Sequence, residues 1–246
     1  MVTTPAAAPE PQAAINHLGR ILGALFSPKT TFEDIAKRPS WVAPIILLSI
    51  LSTGVAYFLN SRMNWGSYIR QKAEESSRFA QLSEEQKDRA LGPQIKFAPY
   101  FSYCFGVIGP AIFALFFGFV YWASFNLFNG AGLKYSTSFA IATHATIPSA
   151  ITSILAIITL ALKSPGDVDP EHMVATSVSS FLGSDAPKWL VALGNSLELS
   201  WIWILILFAI GFSGANPKKI KAGSAFGVVF GLWLVWVLLK VGWAAI

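Results

Sequence analysis

From Trp41 to Asn60 the chain runs for twenty residues, WVAPIILLSILSTGVAYFLN, without a charge. About 20 such residues suffice for a helix to cross the hydrocarbon core of a bilayer. Four more apolar stretches follow, at about residues 102–128, 137–162, 189–212 and 225–243. The fold class this predicts is all-α: a polytopic membrane protein with a bundle of five transmembrane helices. Composition agrees. Only 13% of residues are charged, against about 25% in soluble domains, and they gather in the first forty or so residues and in the connections.

The region ahead of the first span divides in two. Residues 1–12, MVTTPAAAPEPQ, carry neither a basic nor an apolar signal-peptide region and read as a disordered Ala/Pro tail. Residues 13–40 read as interfacial amphipathic helices. Ile15, Leu18, Ile21, Leu22, Leu25 and Phe26 recur at spacings of three and four, with Arg20 off that stripe. Ser27 and Pro28 then start a second short helix. Glu33 and Asp34 fall early in it, Lys37 and Arg38 late, and Pro39 ends it. Phe32 and Ile35 are expected to dip into the membrane interface.

Residues 41–246 form the transmembrane domain. Its first connection, 61–96, is polar, and a solvated helix is expected from Ser83, with Gln86 completing the cap and Gly92 as the stop. Pro110 is expected to kink the second span. In the connection 163–188, Asp169 and Pro170 open another short helix, with Val174, Val178, Phe181 and Leu182 on one side and Gly183 at its end.

Several functions are excluded. The net charge of +5 suits headgroups and loop orientation, and no nucleic-acid recognition motif accompanies it. The single cysteine, Cys104, excludes an intrachain disulfide. No P-loop, HExxH or GxSxG is present, so no catalytic residue, cofactor or metal site is expected. Asp167, Asp169, Glu171 and His172 read better as a solvated acidic turn than as a cation site.

The candidate polar site comprises Glu198, His144 and Asn195. Glu198 lies about nine residues into the fourth span, roughly 13 Å deep at 1.5 Å per residue. An ionisable group at that depth faces the protein interior or a cavity; if the span begins nearer Leu197, it lies at the headgroups instead. A His144–Glu198 pair is one reading, a histidine satisfied by local carbonyls the other. Gly223, Gly227 and Gly231 place small residues on one face of the fifth span. Packing inside the bundle is favoured there over a dimer seam. Trp201, Trp203, Trp233 and Trp236 read as packing or belt aromatics.

Two segments carry a family resemblance: FSPKTTFEDIAKRPSWVAPIILL at Phe26–Leu48, and LELSWIWILILFAIGFSGANPKKIKAG at Leu197–Gly223, followed by a Trp-rich last span. Over roughly residues 15–246 the chain resembles the Yip-one domain family. The resemblance implies five spans, the N-terminus in the cytosol and the C-terminus across the membrane. Lys and Arg counts are nearly balanced between the two sides, but the tight clusters TFEDIAKRP and NPKKIK lie on the side that would be cytosolic. Eukaryotic members bind Rab-type GTPases and one another in early secretory traffic. Without a long N-terminal domain, the chain looks like a bacterial member of the cytoplasmic membrane. The function expected is a non-enzymatic scaffold or adaptor whose partners are membrane lipids and a membrane protein or a second copy. The alternative is a small transporter, channel or lipid-moving protein with Glu198, His144, Asn195, Pro110 and Pro148 along its path.

Overall fold

A computed structural model describes residues 15–165, 168, 173–183 and 185–245, with the side chains of 77 and 78 left aside. The N-terminal tail and the acidic run Asp167, Asp169, Glu171 and His172 lie outside these residues. Among them the chain is helical. The elements are α1 (His17–Phe26), α2 (Pro28–Lys37), α3 (Val42–Arg62), α4 (Trp65–Glu74), α5 (Ser77–Ala80) and α6 (Glu84–Asn129). After these come α7 (Tyr135–Ala145), α8 (Pro148–Leu162), α9 (Lys188–Ser196), α10 (Leu199–Ala215) and α11 (Ala222–Ala244), with a 3₁₀ turn at Val178–Phe181.

Four stretches are long and apolar enough to cross a membrane: α3, α6, α7 with α8, and α11. Only 17% of the most apolar window of α3, α6 or α11 is buried inside the protein. The outward faces carry residues such as Ile50, Phe105, Phe116, Val235 and Leu239. A soluble protein rarely exposes so much contiguous apolar surface, and this chain is a membrane protein.

The predicted fourth span is not one helix. Leu197 and Glu198 leave helical geometry, at φ −97°, ψ 60° and φ −98°, ψ 132°, dividing the segment into α9 and α10. The third span is also interrupted. Pro148 offers no N–H at the first turn of α8, and the chain tightens there through Ile147 N–H to His144 C=O (3.2 Å) and Ser149 N–H to Thr146 C=O (3.0 Å).

Gly92 does not stop the solvated helix. Ser83 and Gln86 form the expected capping box, but α6 continues for 46 residues, about 69 Å. Gly stops a helix by taking left-handed backbone, and Gly92 keeps a negative φ. Gly130, at φ 54°, provides that stop after Asn129. A stretch of α6 therefore stands beyond the ~30 Å hydrocarbon region. There Arg70 of α4 pairs with Asp88 at 2.6 Å and Glu84 at 3.5 Å. The start of the helix expected from Asp169 and Pro170 to Gly183 lies outside the described residues; within the described part the connection holds the 3₁₀ turn, on which Val178 and Phe181 are exposed.

The core occupies one half of the bundle. Phe125 stacks on Phe212 with ring centroids 4.7 Å apart, and Tyr121 lies 4.6 Å from Phe208. Ile141, Ala142, Leu205, Ala225 and Val229 close around them. Phe32 and Ile35 of α2 are fully buried in this core. They meet protein, contrary to the expectation that they dip into lipid.

The close helix approaches use glycines that the sequence pattern did not single out. A Cβ on Gly106 of α6 would lie 3.0 Å from Thr53 Cα and 3.1 Å from Ser52 C=O of α3. Nothing lies within 4 Å of the corresponding positions at Gly223, Gly227 and Gly231, and all three are exposed. This corrects the expected packing of that glycine face inside the bundle: α11 turns its other side, Ala225 and Val229, to the core. Gly106→Ala is expected to lower the apparent melting temperature of the purified protein, at a cost of about 1–3 kcal/mol. Gly227→Ala should leave it unchanged or raise it slightly, since alanine is the better helix former. Equal losses at both positions would contradict this packing.

Candidate functional site

The packed half of the bundle ends near Ile204. Beyond it α3, α6, α8 and the start of α10 surround a cavity of about 730 Å³. Its wall is mostly carbon but includes the hydroxyls of Ser52, Ser102, Thr146, Ser149, Thr152, Ser153, Thr176 and Ser200. Glu198 is the only charged side chain among the described residues that line it.

Glu198 is placed by the break in the fourth span. Its side chain caps α10, accepting Ser200 N–H at 3.2 Å and Trp201 N–H at 2.8 Å. The positive end of the α10 dipole adds to these bonds. The flanking backbone is satisfied by the segment entering from the 163–188 connection. Val178 N–H donates to Leu197 C=O at 3.3 Å, and Leu199 N–H donates to Thr176 C=O at 3.0 Å. The Thr152 and Ser200 hydroxyls lie 2.5 Å apart and tie the start of α10 to α8. From Thr152 to the end of α8 at Leu162 is about 15 Å along the helix. Glu198 thus lies well below the end of its neighbour, half-buried, facing the cavity.

A family model described as the Yip1 domain matches residues 22–245. The chain belongs to the Yip1 domain family. The resemblance read in Phe26–Leu48 and Leu197–Gly223 is borne out. Membrane protein YknW of Bacillus subtilis (strain 168) is similar, at 23% identity over 222 residues, covering 89% of this chain and 89% of that protein. No solved structure matches.

In this Yip1 domain the other predicted site residues lie elsewhere. His144 is fully buried, its Nδ1 2.9 Å from Ala140 C=O on its own helix. No hydrogen bond or ion pair joins it to Glu198 among the described residues. The pairing fails because each group is satisfied locally, by a carbonyl one turn back and by two backbone N–H groups. Asn195 is exposed on α9 and accepts a hydrogen bond from the Ser179 hydroxyl. Neither His144 nor Asn195 lines the cavity.

A second polar cluster was not legible in the sequence. Arg20 of α1 is 4% exposed and Asp34 of α2 is 8% exposed. Arg20 Nε donates to Asp34 Oδ2 at 2.8 Å, and its Nη2 lies 2.7 Å from the same oxygen. Arg20 Nη1 also donates to Arg38 C=O at 2.9 Å and Ser40 Oγ at 2.6 Å, while Arg38 pairs with the other Asp34 oxygen. One guanidinium thus fastens α1 to α2 and to the entry of α3. The spacing of Arg20 and Asp34, fourteen residues across two helices, matches no motif. The only hint was an arginine beside an apolar stripe.

Burial raises the Asp34 carboxyl, but the hydrogen bonds and charges of Arg20 and Arg38 outweigh it and hold it below its ordinary value. A carboxyl depressed in the folded state adds stability above its unfolded value, and that stability disappears as pH falls through the lower folded value. Attachment of α1 should therefore be insensitive to pH near neutrality and weaken only below about pH 4. Asp34→Asn should release α1 already at pH 7, since removing one partner of a buried pair costs about 3–5 kcal/mol. Hydrogen exchange of the α1 amides reads both effects. Unchanged protection in Asp34→Asn would refute the fastening.

Proposed function

We propose that this protein is a non-enzymatic scaffold of the bacterial cytoplasmic membrane that uses a surface-lying N-terminal helix to organise lipid and a membrane-protein partner. In this reading the bundle crosses five times, with α9 and α10 together making the fourth crossing. The N-terminus is cytoplasmic and the C-terminus lies on the far side. The tight basic segments around α2 and between α10 and α11 favour that orientation.

One observation carries the reading. The face of α1 that is turned away from the protein is its apolar one: Leu18 is 65%, Leu22 50% and Phe26 78% exposed. Its inward face is fastened by Arg20 and packed through Ala24. A helix held by a buried ion pair with three large apolar side chains facing out is suited to the headgroup–acyl boundary. Phe26 and Trp41 are both exposed, and aromatic side chains favour the membrane interface.

The transporter reading draws on the cavity. Of the residues assigned to a path, Glu198 and Pro110 line it, while His144, Asn195 and Pro148 do not. The scaffold reading is therefore preferred.

A probe on Phe26→Cys, in a Cys104→Ser background, tests the proposal in proteoliposomes. An NBD label there should emit as in an apolar medium and be quenched by lipids doxyl-labelled near the headgroup more than by lipids labelled at the chain end. Leu18→Asp with Leu22→Asp should shift the probe to water and remove crosslinked partners from the membrane fraction. A label quenched by aqueous iodide alike in both proteins would sink the surface-helix reading. Partner recovery unaffected by the double substitution would sink the scaffold role.

A further inference from the structure

Three hydroxyls on the cavity wall have their protons committed to carbonyls. Ser102 donates to Pro99 C=O at 2.8 Å, Thr146 to Thr143 C=O at 3.0 Å and Ser149 to Thr146 C=O at 2.6 Å. A hydroxyl has one proton, so each of these can offer the cavity only acceptor lone pairs, one of those on Ser102 already taken by the Asn60 amide; Thr152 and Ser200 bond to each other, which leaves one proton between them. Glu198 is acceptor-only as a carboxylate, and its two bonds to N–H leave further lone pairs on both oxygens. No Lys, Arg or His stands among the described lining residues to balance it. Trp201 and Phe113, packed edge to face at 5.6 Å, add ring faces of the kind that attract a cation.

We infer that the cavity is a binding site for an amphiphile carrying a primary ammonium group, with the ammonium on Glu198 and the apolar body along α3 and α6. Three donors and a positive charge complement a carboxylate with no cation beside it among the described lining residues, and hydroxyls accept as well as donate. The mostly carbon wall complements a hydrocarbon body. The volume of about 730 Å³ falls within the ~300–1,000 Å³ of small-ligand sites. Phe105, part of the wall, is 65% exposed on the apolar flank of α6, so the site reaches the surface given to lipid and fills from the membrane. A bare metal ion fits poorly, because a calcium-type site takes about six to eight oxygens in one shell, and no group of three His, Cys, Asp or Glu that could hold a metal occurs among the described residues. The ammonium can belong to an aminophospholipid headgroup or to a free long-chain amine; the wall recognises what they share.

The test uses the full chain in detergent and native mass spectrometry, with dodecylammonium against N-acetyldodecylamine, and phosphatidylethanolamine against phosphatidylglycerol. The wild type should retain the ammonium member of at least one pair about tenfold better than its control, the scale of a hydrogen-bonded charge. Preference in the first pair alone assigns a free amine, and preference in the second assigns a lipid headgroup. Glu198→Gln keeps a carbonyl acceptor for capping and removes the charge; it should abolish the preference. If Glu198→Gln does not fold, Ser153→Phe puts a ring into the cavity from a side chain with no hydrogen bond among the described residues and should abolish it likewise. The inference is overturned if neither pair shows a preference, or if the preference survives the variant that folds. Displacement of the ammonium by sodium or calcium at constant ionic strength also overturns it, assigning Glu198 to an inorganic ion. None of these readouts depends on α1, so the scaffold proposal and this site fail separately.

Discussion

In an apolar surround the backbone cannot leave a peptide group unpaired, and this bundle breaks its helices only where something else takes up the freed groups. At Leu197 and Glu198 an entering strand-like segment supplies two backbone bonds and the Glu198 side chain supplies two more. At Thr146 and Ile147 the chain tightens, and Thr146 and Ser149 hydroxyls return bonds to nearby carbonyls. The two breaks face each other across the Thr152–Ser200 contact. The cavity is lined by the helices that follow the two breaks, together with α3 and α6. Glu198, Thr146 and Ser149, which make the breaks tolerable, are thus also part of its polar lining.

Hydrophobic length made the spans legible, because few chains can run twenty uncharged residues in any other role. The Ser83–Gln86 cap was legible because both partners lie within one turn. What sequence could not supply depended on the third dimension. Glu198 was framed as either buried and needing a partner or shallow and needing none. It lines the cavity and is satisfied by its own helix, an outcome that requires the chain to bend at that residue. The glycine repeat at 223, 227 and 231 was visible as a period and misassigned, since periodicity gives a face but not the neighbour that meets it. Gly106, which does permit a close approach, has no repeat to announce it. Arg20 paired with Asp34 was invisible because the contact needs α1 folded back on α2.

The two ends of the molecule solve different problems with similar means. At one end Arg20 and Asp34 place charge inside protein, where each is satisfied several times over. That geometry frees the apolar side of α1 to face outward. The usual order, charges out and carbon in, is inverted, and the inversion is stable only if the outward carbon meets lipid. The same reasoning applies to α11, whose glycine face meets no other described residue of the chain.

The hollow half would be easy to fill. Ser52, Gly106, Gly109, Ser149, Ser153 and Ala156 all stand on its wall, and a larger apolar side chain at several of them would close it. In a core built for stability alone, filling such space gains van der Waals contacts. Small and hydroxylated residues on three helices instead hold the space open around one carboxylate. Gly106 has a packing reason to be small, because α3 lies against it. Ser153 lines the wall from α8 without a hydrogen bond among the described residues, and that makes it the most telling position there. A serine whose hydroxyl is left without a partner among the described residues, kept small on the wall of a cavity that a larger side chain would fill, is explained by what occupies the cavity.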